Sequence, residues 1–184
     1  MYELCSSNGR KLTLVLMAGL PGAGKTTLAL KLGATLHWPV LSKDTLRSSL
    51  MMVEVVERVA GFAAYELLFA LAYDLLVQQQ ISIILDCSSV YPFILHRSIE
   101  LARKANAQLR VVRCAVDSAV RSQRLGERNN GAISTAPLSP ALTSDEEQRL
   151  FTHLPHDTLV LQTVDPLEAY LPEVIAYLFQ SRSS

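Results

Sequence analysis

Eight residues, Gly19 to Thr26, read GLPGAGKT, the spacing of Gly, four residues, Gly, Lys and then Ser or Thr that wraps nucleotide phosphates. Backbone N–H groups can converge on phosphate oxygens only where Cβ atoms are absent, which is the use of Gly19, Gly22 and Gly24. Leu20, Pro21 and Ala23 complete the turn. Lys25 adds a point charge for the β/γ oxygens and Thr26 a hydroxyl for Mg²⁺, while Thr27 continues into a helix whose positive end faces the phosphates. ATP and Mg²⁺ are the expected ligands, and no Asn-Lys-x-Asp element for guanine is present.

Two further acids stand where such a ligand would lie. Asp44 follows the short apolar run Pro39 to Ser42, and Asp86 ends the run Ile81 to Leu85. Ligands of open α/β sheets bind outside the carboxyl ends of the strands, so both acids can face the phosphate loop. Asp44 suits a general base that takes the proton of an attacking hydroxyl, with Arg47 one helical turn on to hold the acceptor. An Asp there is also a common helix cap. Asp86 suits a second partner for Mg²⁺ as well as a residue beside the acceptor, and its alternative is a plain strand-end turn. His96 reads as a surface helix residue, whereas Arg97 is placed on the acceptor side. Arg121, Arg124 and Arg128 recur at helical spacing ahead of Asn129 to Pro140, a stretch rich in Gly, Ser and Pro. That combination suits a phosphate-covering lid, and its alternative is a solvated charged face.

The elements needed to hold these residues follow from the apolar runs. Leu12 to Ala18 is unbroken and apolar, the mark of a central strand covered on both faces. Pro39 to Ser42, Ile81 to Leu85, Leu109 to Val116 and Thr158 to Thr163 supply four more strands. Helical patterns fill the intervals, including Met51 to Gln80, with a break expected near Gly61. Tyr65, Phe69 and Tyr73 fall at helical spacing there and read as core. The fold class is therefore α/β, three layers with a central parallel sheet of about five strands and helices on both faces.

Composition narrows the partners. The chain has 184 residues, 49% of them apolar, enough for one sizeable core. Lys plus Arg equals Asp plus Glu at 17 each, so no global field favours duplex nucleic acid, and a nucleic-acid end is a disfavoured acceptor. Locally, residues 97–128 carry a net charge of +5 and residues 129–184 a net of −5, which favours an anionic ligand near the first segment. Two acids between Ala60 and Val77 argue against membrane insertion. Cys5, Cys87 and Cys114 have no metal-ligand spacing and suit a reducing cytoplasm, with Cys87 and Cys114 buried. No export signal is evident.

Taken together, GLPGAGKTT at 19–27, SKDTLR at 42–47, ILDCSS at 84–89, the helix opening with His96 and Arg97, and RLGER at 124–128 resemble a family of P-loop kinases. That family includes polynucleotide 5′-hydroxyl kinases, zeta toxins and AAA-type ATPases. The resemblance implies a base role for Asp44, acceptor binding for Arg47, phosphate roles for Arg124 and Arg128, and an adenine-side place for the loop Val164 to Pro166. The resemblance covers Leu12 to about Leu178, and the expected organisation is one kinase-like domain over residues 11–180 with a lid at about 121–141, residues 1–10 being polar and irregular enough to read as a loose tail. Gln78 to Gln80 departs from the family, whose members commonly carry a Gly before the strand. The expected activity is transfer of the γ-phosphoryl group of ATP to a hydroxyl. The rival is a regulatory ATPase or interaction module with no acceptor.

Overall fold

The computed structural model describes residues 11–129, 142 and 144–180. The expected tail at 1–10 and most of the Gly-, Ser- and Pro-rich stretch after residue 129 lie outside the described residues.

Five strands are present: β1 (Thr13–Ala18), β2 (Val40–Ser42), β3 (Ile83–Asp86), β4 (Gln108–Ala115) and β5 (Leu159–Gln162). They pair in parallel in the order β2-β3-β1-β4-β5, which puts the phosphate-loop strand in the centre. Around them run α1 (Lys25–Leu36), α2 (Lys43–Met52), α3 (Glu57–Tyr73), α4 (Pro92–Lys104), α5 (Ser118–Asn129), α6 (Ser144–Leu150) and α7 (Leu167–Phe179). The three-layer α/β expectation holds. Alternation along β1 sends Leu14, Leu16 and Ala18 to a core shared with α3 and α4, and Val15 and Met17 to one shared with α1 and α7. With both faces covered, every position of β1 is buried, and from Leu14 to Ala18 it carries no polar residue for that reason.

The long helical stretch breaks at residues 53–56, not at Gly61. The N–H of Val55 donates to the carbonyl of Leu50 and that of Glu54 to Met51, the paired bonds of a Schellman cap on α2. Glu54 takes the left-handed position at φ 63° that a glycine usually fills, so the stop carries no glycine signal. Gly61 instead sits within α3, where nothing lies within 4 Å of a built Cβ. Ala60, Ala64, Leu68 and Ala72 then form a buried stripe down α3 that continues onto Leu76. Segment Glu57–Gln78 has the length and mean hydropathy of a membrane span, and this stripe spends part of that apolar surface on the sheet. Tyr65 and Phe69 are core as expected, whereas Tyr73 is exposed.

After α3, a single π turn (Asp74–Gln78) leads to Gln80, at φ 58°. The Gln80 side chain donates to the carbonyl of Val77 at 2.8 Å, a local hydrogen bond at a position where the resemblance leads one to expect Gly.

Part of the charge asymmetry of the sequence is buried inside the fold. Arg113 of β4 and Arg121 of α5 are buried and converge on Glu147 of α6, at 3.7 and 3.4 Å. Arg113 also lies over the Phe151 ring, and its Nε has no hydrogen-bond partner. Glu147 of the acidic segment thus serves two arginines of the basic one. Glu147→Ala leaves two buried guanidiniums without their shared carboxylate and should cost about 3–5 kcal/mol in urea denaturation. A loss below about 1 kcal/mol would mean that solvent already screens the cluster.

Candidate active site

The phosphate loop is built by backbone conformations that only glycine tolerates. Gly19, Gly22 and Gly24 have φ of 130°, 84° and 84°. A Cβ on Gly19 would meet the carbonyl oxygen of Cys114 at 2.3 Å, so β4 closes tightly over the loop's first residue. Gly24 caps α1 with no side-chain bond to its first turn, so the N–H groups at that end receive no side-chain acceptor from the cap.

Neighbouring strand ends brace the loop. Gly19 N–H donates to the carbonyl of Ser88 at 3.1 Å, and Ser89 Oγ donates to that of Met17 at 2.7 Å. Ser89 is fully buried and held in the left-handed region at φ 52°, a conformation of the kind tolerated where surrounding bonds over-determine it. From the other side, Thr163 Oγ1 donates to the carbonyl of Ala23 at 2.9 Å. Thr163 carries no motif signal, and sequence reasoning missed it.

Lys25 is buried, and its Nζ donates to the carbonyl of Leu20 at 2.9 Å. Burial pulls its ammonium below the usual lysine range, and the nearby Asp86 carboxylate pulls it partly back. The charged form is thus penalised in the folded chain. That penalty is present at neutral pH and fades as pH rises through the lowered value. Lys25→Met removes it, and the Leu20 carbonyl keeps the N–H of Ala23 at 3.2 Å. We expect Lys25→Met to melt at a higher temperature than the parent chain without nucleotide, with the gain shrinking toward alkaline pH. Calorimetry showing a lower melting temperature would contradict this.

The two acids occupy the same sheet edge in different states. Asp86 is buried and accepts a hydrogen bond from Thr26 Oγ1 at 2.7 Å. Asp44 is 86% exposed, with Lys43 Nζ 3.4 Å from its carboxylate. The cap of α2 is Ser42, whose Oγ accepts from the N–H of Thr45, so the capping alternative for Asp44 is not realised.

Arg47 and Arg97 are less available than their sequence positions suggest. Arg47, with a side chain only 11% exposed, pairs with Glu57 across α2 and α3. Arg97 pairs with Glu66 and lies 4.3 Å over the Phe69 ring. Arg121 faces Glu147, as described. Arg124 is half-buried and donates from Nη2 to the carbonyl of Thr163 at 2.7 Å. The side chain of Arg128 lies outside the described residues.

Beside the loop opens a cleft of about 470 Å³, lined by Gly22, Gly24 and Thr27 of the loop and helix, Arg124 and Glu127 of α5, and Thr163, Asp165, Leu167 and Tyr170. Burial raises the Tyr170 hydroxyl above its ordinary range. Cys87 and Cys114 are buried thiols pushed up to about 11 and about 12 by desolvation, and so are inert packing residues. Among the described residues no three His, Cys, Asp or Glu side chains gather to hold a metal.

A family model for the AAA domain matches residues 14–145, which takes in the phosphate loop, both acids and Arg124. The chain belongs to that family. Solved structures of the same fold include a candidate kinase of Chloroflexus aurantiacus, with 21% identity and a TM-score of 0.70 over 92% of this AAA-domain chain and 97% of that one. The Mycobacterium tuberculosis APS kinase, in complex with AMPPNP and APS, has 17% identity and a TM-score of 0.64 over 92% and 99%. A gluconokinase from Sinorhizobium meliloti has 16% identity and a TM-score of 0.55 over 92% and 93%. At such identities the likeness is one of fold. Among curated proteins none matches the chain.

Proposed function

We propose that this protein is a cytoplasmic kinase that transfers the γ-phosphoryl group of ATP to a hydroxyl of a small molecule, with a nucleic-acid end as the less favoured acceptor. The observation that carries the reading is the contrast between two acids on one sheet edge. Asp86 is buried and engaged with Thr26, whereas Asp44 is exposed and released from capping by Ser42. An exposed acid can take the proton of an incoming nucleophile, and Arg47 one turn further along the same helix favours an acceptor over water as that nucleophile. Three neighbours of the same fold are named as kinases, one of them in complex with AMPPNP and APS.

In this reading the loop glycines and the first turn of α1 bind the β and γ phosphates, and Lys25 leaves the Leu20 carbonyl to place its charge on their oxygens. The cleft beside Gly24 takes the base and ribose beside Asp165, Leu167 and Tyr170. Thr26 Oγ1 and Asp86 Oδ2 are adjacent hard oxygen donors and fit Mg²⁺, whose remaining ligands would be phosphate and water. When bound, the ion would neutralise charge on the β and γ oxygens. Asp44 accepts the proton of the acceptor hydroxyl as its oxygen bonds to the γ-phosphorus and the bond to ADP breaks. Arg124 and Arg128 cover the transferring group. Arg47 and Arg97 line the acceptor side, where their carboxylate partners Glu57 and Glu66 set their orientation.

The test is labelled ATP with the purified chain against sugars, nucleosides, antibiotics and 5′-hydroxyl oligonucleotides, reading ADP release and label transfer. Label should move to one hydroxyl class. ADP release at one rate with every acceptor, with no label transferred, would favour the regulatory ATPase.

A further inference from the structure

On the acceptor side of Asp44 stands a wall of three aromatic rings. Lys43 Nζ, beside the Asp44 carboxylate, lies 5.4 Å over the ring of Tyr65. Phe93, in the first turn of α4, meets Tyr65 edge-on at 5.4 Å and 82°. Tyr91 in turn stacks on Phe93 at 6.0 Å and 22°. Tyr65 is buried, but Tyr91 is 55% and Phe93 40% exposed. Scattered surface aromatics are ordinary, whereas Tyr91 and Phe93 stack on each other at the surface and are anchored edge-on against Tyr65, whose ring Lys43 links to the proposed base. A planar ring extends such a stack and gains by covering it.

We propose that Tyr91 and Phe93 are a stacking shelf for the acceptor, which is a hydroxyl compound carrying an aromatic or heteroaromatic ring. The ring lies on the shelf and the hydroxyl reaches Asp44. This rests on the kinase reading, since Asp44 defines where the hydroxyl must be. A nucleoside and an aryl glycoside share the required chemistry, and the experiment separates them.

The full chain, saturated with ADP and Mg²⁺ so that the nucleotide cleft is filled, is titrated with two matched pairs. One is uridine against methyl β-D-ribofuranoside, the other 4-nitrophenyl against methyl β-D-glucopyranoside, with binding read by saturation-transfer NMR. The ring-bearing member of one pair should bind about tenfold tighter than its ring-free mate. Which pair shows the preference names the source of the ring. Tyr91→Ser combined with Phe93→Leu should abolish the preference and leave ADP affinity unchanged. If that double variant fails to fold, Tyr91→Ser alone serves. It keeps Phe93 on Tyr65 and puts a favoured residue type at the N-cap of α4. Equal binding within both pairs, no binding of any member, or a preference that survives the substitutions overturns the shelf. Failure to bind ADP in the same samples overturns the kinase reading as well, which keeps the two failures apart.

Discussion

Replacing Asp44 by Asn should lower phosphoryl transfer by about 10²–10⁴ while leaving the affinity for Mg²⁺ and ATP unchanged. The carboxylate is exposed and Ser42 holds the helix cap, so the amide should neither disturb α2 nor cost stability. What it removes is the proton acceptor for the incoming hydroxyl. The matched variant is Asp86→Asn, which weakens one of two adjacent oxygen donors and should raise the Mg²⁺ concentration needed for half-maximal activity. Turnover at saturating Mg²⁺ separates the two acids. If Asp44→Asn recovers with added Mg²⁺ as Asp86→Asn does, the division of labour between them is wrong.

Arg124→Lys should reduce turnover by far more than ATP affinity, by a factor approaching the roughly 10³–10⁵ that an arginine on the transferring phosphoryl group contributes. In the structure its guanidinium is held by the Thr163 carbonyl, and Nη1 lies 3.9 Å from a Cβ built on Gly24. It is thus parked beside the loop and within reach of a bound phosphate. Lysine keeps the charge but lacks the planar fork that spans two oxygens. Arg121 is one turn away and points to Glu147, so it cannot substitute. A raised KM for ATP with unchanged kcat would show instead that Arg124 serves ground-state nucleotide binding in the cleft. The same comparison applied to Arg128→Lys tests whether the second arginine of RLGER acts with it.

Residues of the phosphate loop were legible in the sequence because their requirement is local. A backbone that must turn at positive φ three times within six residues needs glycine at those places, whatever packs around it. The apolar runs of β1 and β3 likewise pointed to central strands of a parallel sheet, since strands covered on both faces need few polar positions. The break between α2 and α3 was not legible, because Glu54 makes a turn that composition associates with glycine. Nor was the fate of the arginines. Arg47 meets Glu57 at 10 residues' separation, Arg121 meets Glu147 at 26, and Arg97 meets Glu66 at 31. Charges so far apart in the chain find each other only when helices dock, so spacing could show a basic stretch but not which cations remain for a ligand. Thr163 and the Tyr91–Phe93 face belong to the same class. Neither has a motif of its own, and each acquires its place only because the sheet order sets β5 beside β4 and α4 beside α3.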